Sequence, residues 1–141
     1  IYQSKQFASL SYEDMPFILA PNFWTKINPA KRYFGAKERA HGDGIKISMD
    51  SPEAFEEVFW KTFDKSSLNC EDYFKNYVSL ILKKNNKTRY LSKNNQNILR
   101  IMDINKYFPQ SKILIPFRDP IQQAYSLYQY QDLVIPHEIQ N

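Results

Sequence analysis

Lys93, Arg118 and Ser126 are the side chains of this sequence whose types and spacing could hold an anion, and His41 is one that could move a proton. Arg118 closes the run Lys112-Ile-Leu-Ile-Pro-Phe-Arg118 and is followed by Asp119 and Pro120. Ile113, Leu114 and Ile115 read as a short buried strand, Asp119 as a helix N-cap, and Pro120 as the first helical residue, where proline's missing N–H costs nothing. Arg118 then lies just past the carboxyl end of a strand. In open α/β sheets ligands bind at that rim, and the following helix adds the positive end of its dipole and unpaired N–H groups. Ser126 falls two turns further on, at the azimuth of Gln122 and Gln129 and opposite the apolar stripe of Ile121, Ala124, Tyr125 and Tyr128. A phosphate or sulfate suits such a site.

The elements that must position these groups follow from periodicity. From Thr88 the pattern runs strand, helix, strand, helix. Arg89–Ser92 is the first strand; Gln96–Tyr107 is a helix with Ile98, Ile101, Met102 and Phe108 facing the sheet; Lys112–Phe117 is the second strand. Such a βαβ unit makes the strands parallel with a right-handed crossover, which brings Lys93 and Arg118 to one carboxyl edge. Upstream, Ser51-Pro52-Glu53 predicts a helix start, with serine as N-cap and proline at the first position. A second helix is predicted from about Asn69, with Glu71 and Asp72 in its first turn, Tyr73, Phe74, Tyr77, Val78 and Ile81 inward, and Lys83 and Lys84 at its end. Before residue 50, Pro16, Pro21 and Pro29 limit the chain to short helices and loops. His41 lies in Glu38-Arg-Ala-His-Gly-Asp-Gly44, a stretch that also reads as a tight turn.

At 141 residues, 43% of them hydrophobic and 16% aromatic, the chain is one domain's worth and can bury a core without disulfide staples. A net charge of +4 and a pI near 9.1 favour anionic ligands without choosing among nucleotide, nucleic acid and acidic sugar. Cys70 is the single cysteine, which excludes an internal disulfide and a zinc cluster and suits the reducing cytoplasm. No apolar run approaches the roughly 20 residues of a membrane span. The three glycines, Gly35, Gly42 and Gly44, do not have the spacing of a phosphate-cradling loop.

Arg118 followed eight residues later by Ser126, together with the approach Phe108-Pro-Gln-Ser-Lys-Ile-Leu-Ile-Pro-Phe-Arg-Asp-Pro120, resembles the segment by which sulfotransferases hold the 3′-phosphate of 3′-phosphoadenosine 5′-phosphosulfate. Tyr90-Leu-Ser-Lys-Asn-Asn-Gln-Asn97 is similar to that family's strand ending in a lysine near the sulfuryl group. The resemblance implies an α/β fold with a parallel sheet of the P-loop-NTPase-like sulfotransferase type, truncated, with extra helices. It implies one partial domain over 1–141, divided into a mainly helical acceptor side over 1–87 and a βαβα unit over 88–130. It also implies a co-substrate, 3′-phosphoadenosine 5′-phosphosulfate, and no metal. Arg118 and Ser126 become the cofactor-binding residues, Lys93 the catalytic cation and His41 the stand-in base, because Asn94 and Asn95 occupy the place where many relatives carry a histidine. The family's upstream phosphate loop is not in the sequence, so the resemblance implies a fragment or a much reduced relative. Apolar patches at Phe7–Leu10 and Met15–Ala20 would then lie exposed, and a homodimer could cover them. Two other classes stay open: a different nucleotide-binding, kinase-like α/β domain, and a nucleic-acid-binding module using Tyr90, Tyr107, Tyr125, Tyr128 and Tyr130. The tyrosines fit core packing better, so no nucleic-acid partner is expected.

Overall fold

Helix α3, Cys70–Asn85, is the axis on which the rest of the chain is built. Asn69 opens it, its carbonyl accepting the Tyr73 N–H at 3.0 Å, and Glu71 and Asp72 sit at the positive end of its dipole. Asn86 ends it in the left-handed conformation at φ 49°, returning its N–H to Leu82 and Lys83, with Lys83 and Lys84 in the last turn. Phe74, Tyr77, Val78 and Ile81 recur at helical spacing and are all buried. Tyr73, expected inward, is 44% exposed, because the buried stripe is narrower than the apolar one.

The computed structural model describes residues 4–27, 35–38, 46–63 and 69–134, with side chains as far as Tyr128. The other elements are α1 (Pro21–Ile27), β1 (Lys37–Glu38), β2 (Lys46–Ile47), α2 (Glu57–Thr62), α4 (Ile101–Tyr107) and α5 (Pro120–Val134), with short 3₁₀ turns at Tyr12–Asp14 and Asn95–Arg100. Helix α1 docks on α3: the Asn22 side chain donates to the Leu80 carbonyl at 2.9 Å, and the buried Tyr77 hydroxyl donates to the Ile18 carbonyl at 3.2 Å. Phe59 of α2 fills the centre, its ring 5.0 Å from Tyr77 and 5.1 Å from Phe74, and Trp60 lies 4.3 Å from Phe74. Tyr107 of α4 closes the other side of this aromatic core. Cys70 is buried in it, the ordinary place for a small apolar thiol.

One ion pair locks the edge of the core. Lys84 reaches Asp14 at 2.5 Å, and Asp14 also accepts the Ser11 N–H at 2.9 Å. The Asp14 side chain is only 2% exposed, so its charge depends on these partners.

Three expectations change. The helix predicted from Ser51 starts at Glu57, because Pro52 bridges Ser11 and Glu53 donates its N–H to Leu10, which hold this stretch beside the N-terminal strand-like segment. Ala8, Leu10 and Ile18, from the patches expected to lie exposed, are buried in the chain's own core. Ile98 and Met102, expected to face a sheet, are 66% and 86% exposed.

Among the described residues the regular sheet is the antiparallel pair of β1 and β2, Lys37 opposite Ile47 and Glu38 opposite Lys46. Parallel pairing occurs at one place, between Ala8 and Tyr90, with Ala8 donating to Arg89 and Leu91 donating to Ala8, both at 2.8 Å. The first predicted strand is therefore present as a single bridge. The second, Lys112–Phe117, makes no bridge among the described residues and carries Leu114 and Ile115 at 70% exposure. A strand needs a neighbour for its backbone, and no described segment is hydrogen-bonded to this one. No helix among the described residues is long and apolar enough to cross a membrane.

Candidate functional site

The start of α2 and the segment from Tyr90 to Arg100 face each other through three glutamates. Glu57 takes both arms of the Arg100 guanidinium at 2.7 Å and the Asn94 side chain at 2.7 Å. Glu56 accepts the Tyr90 hydroxyl at 2.7 Å. Glu53 lies 3.9 Å from the Lys93 ammonium. The three contacts grade from buried to open: the Arg100 side chain is 9% exposed and that of Lys93 58%.

The electrostatics follow that grading. The paired Arg100 hydrogen bond holds the Glu57 carboxyl down at about 2, against an ordinary 4.5, with Asn94 adding to it and burial opposing it. Burial, then the neighbouring Glu56 charge, push the Tyr90 phenol well above its usual 10. It stays a hydroxyl at every working pH and serves as a donor. Arg100 also stacks over the Trp60 ring, 5.2 Å from its centroid.

Lys93, just after the Tyr90 bridge, keeps its ammonium in solvent with one long ionic contact among the described residues, so it can be presented to an anion. Asn94, where the resemblance places a base, is structural: its amide donates to Glu57 and its oxygen accepts the Gln96 N–H at 2.9 Å, capping the 3₁₀ turn. His41 and Asp43 lie outside the described residues.

At the other part of the site, Asp119 caps α5 as its sequence predicts. Its carboxylate accepts the N–H groups of Ile121 at 2.9 Å and Gln122 at 3.0 Å, with Pro120 at the first position. This changes the chemistry of the helix start. The N–H groups expected to face a ligand already serve Asp119, so an anion here is held by side chains. Arg118, immediately before the cap, is exposed and makes no hydrogen bond or ion pair within the described residues. Ser126 is exposed on the second turn.

Arg118 and Ser126 thus share one short segment, whereas nothing among the described residues ties Lys93 to either of them. The carboxylate cluster around Lys93 carried no signal in the sequence. Neither Glu56 nor Glu57 stands out in the sequence, and Glu57 and Arg100 stand 43 residues apart. Among the described residues no group of three or more His, Cys, Asp or Glu side chains is placed to hold a metal ion. Comparison with protein-family models, curated proteins and solved structures returns no match for the chain.

Proposed function

We propose that this chain carries the 3′-phosphate-binding part of a sulfotransferase, which moves a sulfuryl group from 3′-phosphoadenosine 5′-phosphosulfate to a hydroxyl or amine acceptor. The observation that carries the reading is that Arg118, which has no hydrogen bond or ion pair among the described residues, and Ser126 are both exposed beside and on a helix whose start is fixed by Asp119. The span from Arg118 to Ser126 covers roughly 12 Å of helix axis, which a guanidinium stem and a phosphate group bridge. Arginine supplies a bidentate fork and serine a hydroxyl donor, a donor set suited to a dianionic phosphate monoester.

In this reading the acceptor attacks sulfur in line, the S–O bond to the nucleotide phosphate breaks, and the acceptor proton leaves to a base. Lys93 supplies positive charge where it builds, on the sulfuryl oxygens and the leaving phosphate. Its backbone is positioned by the Tyr90 bridge and by the Asn94 contact to Glu57. His41 is the base that the resemblance offers. The single, buried Cys70 suits a cytoplasmic setting.

The test is calorimetric titration with adenosine 3′,5′-bisphosphate, for which adenosine 5′-monophosphate is the control lacking the 3′-phosphate. Binding should require the 3′-phosphate, weaken at least about tenfold in Arg118→Ala, a loss near 1.4 kcal/mol, and weaken less in Ser126→Ala. No binding, or binding indifferent to Arg118 or to the 3′-phosphate, refutes the assignment.

A further inference from the structure

Helix α1 and the turn before it carry an apolar surface flanked by cations. Met15, Phe17, Phe23 and Ile27 are each between 41% and 56% exposed. They form one patch: the Phe17 ring lies 6.2 Å from Phe23 and 5.2 Å from Trp24, and Ile27 stands one turn beyond Phe23 on the same face of the helix. Two contacts seat this patch on one flank of α3. Asn22 donates to the Leu80 carbonyl, and Lys84 pairs with Asp14, the residue before Met15. Leu80 is exposed as well.

Charge here has one sign. From Met15 to Lys37 the sequence holds Lys26, Lys31, Arg32 and Lys37 and no acidic residue. Lys26 lies about 60° round α1 from Phe23, beside the apolar face and not opposite it. The end of α3 supplies Lys83, one turn beyond Leu80, and Lys87, both exposed. The acids nearest in the chain are Asp14, which Lys84 neutralises, and the partly buried Glu13, whose backbone carbonyl accepts the Trp24 indole N–H at 3.0 Å.

We propose that this surface rests on an anionic phospholipid membrane, with Met15, Phe17, Phe23 and Ile27 entering the boundary between headgroups and acyl chains and the lysines meeting the lipid anions. Aromatic and aliphatic side chains beside a set of unopposed cations are the makings of an interfacial anchor, and each lysine near an anionic leaflet adds to the attraction. The anchor is peripheral: α1 has seven residues, whereas a span needs about 20. The same chemistry favours lipid over a nucleic-acid strand. Phe17 and Trp24 are stacked on each other at an interplanar angle of 24°, which covers one face of each ring, and Met15 and Ile27 offer a base nothing to stack on. Neither Arg118 nor Ser126 takes part.

Co-sedimentation of the whole chain with phosphatidylcholine vesicles containing about one-third phosphatidylserine tests this, with circular dichroism confirming that each variant folds. Binding should saturate, weaken with salt, and fall at least about tenfold on vesicles of phosphatidylcholine alone. Phe23→Ser, which removes a ring from the patch, and Lys26→Glu, which reverses a charge beside it, should each weaken binding at least about fivefold. Phe117→Ser, which removes an exposed ring outside the patch, should leave it unchanged. No binding, equal binding to the two kinds of vesicle, or a loss in Phe117→Ser with Phe23→Ser unaffected overturns the proposal. So does a chain that ignores vesicles while a single-stranded oligonucleotide or an acidic protein binds in a manner that Lys26→Glu abolishes.

Discussion

Replacing Arg100 with methionine keeps the apolar stem over Trp60 and deletes the fork that holds Glu57. The two bonds are 2.7 Å long, and the two side chains are 9% and 22% exposed. Breaking a fully buried pair costs about 3–5 kcal/mol and an exposed one about 0–1. Glu57 retains some access to water, which places the cost of Arg100→Met at about 2–3 kcal/mol. With a urea slope of about 1.5 kcal/mol per molar, the unfolding midpoint should fall by about 1.3–2 M. A double-mutant cycle with Glu57→Gln isolates the pair, and a coupling of about 2 kcal/mol is expected at pH 7. The same cycle has a pH signature. Because Glu57 titrates at about 2 in the folded chain and near 4.5 otherwise, its contribution is whole above pH 4.5 and is lost as pH falls toward 2. A coupling below about 0.5 kcal/mol, or one that is the same at pH 7 and near pH 2, would refute the assignment of Glu57 and Arg100 as the clamp between α2 and the Lys93 segment.

Two further substitutions test the packing around it. Lys84→Met leaves the Asp14 carboxylate buried with Ser11 as its remaining partner, and should cost about 3 kcal/mol, read as a fall of about 10 °C in Tm; adding Asp14→Asn should recover part of it. Phe59→Ala removes the ring that touches Trp60, Phe63, Phe74 and Tyr77, and should cost about 3–5 kcal/mol by urea unfolding. A loss under about 1 kcal/mol would mean that α2 is peripheral to the core.

What the sequence made legible was local. The α3 boundaries, its acidic first turn and lysine end, and the Asp119–Pro120 start of α5 all rest on interactions within a few residues, and each stands where the pattern placed it. Pairing over distance was not legible. Ser51-Pro52-Glu53 has the composition of a helix start, yet its backbone is drawn to Leu10 and Ser11, some 40 residues earlier by number. Lys112–Phe117 has the composition of a strand, and composition does not state whether a neighbour is present. At the candidate site, Arg118 was placed past the end of a strand and Ser126 opposite an apolar stripe; both are exposed, but so are Ile121, Tyr125 and Tyr128 of that stripe, and the Asp119 carboxylate's occupation of the helix-start N–H groups was not legible. The glutamates that frame Lys93 depend on tertiary contact and left no periodic trace.

The grading of contacts across Glu57, Glu56 and Glu53 makes Lys93 a loose arm on a fixed shoulder. Neighbouring backbone is bolted down at Tyr90 and Asn94, while the ammonium's companion among the described residues is Glu53, 3.9 Å away in solvent. An anion that recruits it gives up that weak contact and one side chain's rotamer freedom, about 0.5–1.5 kcal/mol, with no loop to order. Recruitment of Lys93 should therefore be fast, reversible and weakened by salt, leaving the rest of the molecule unmoved.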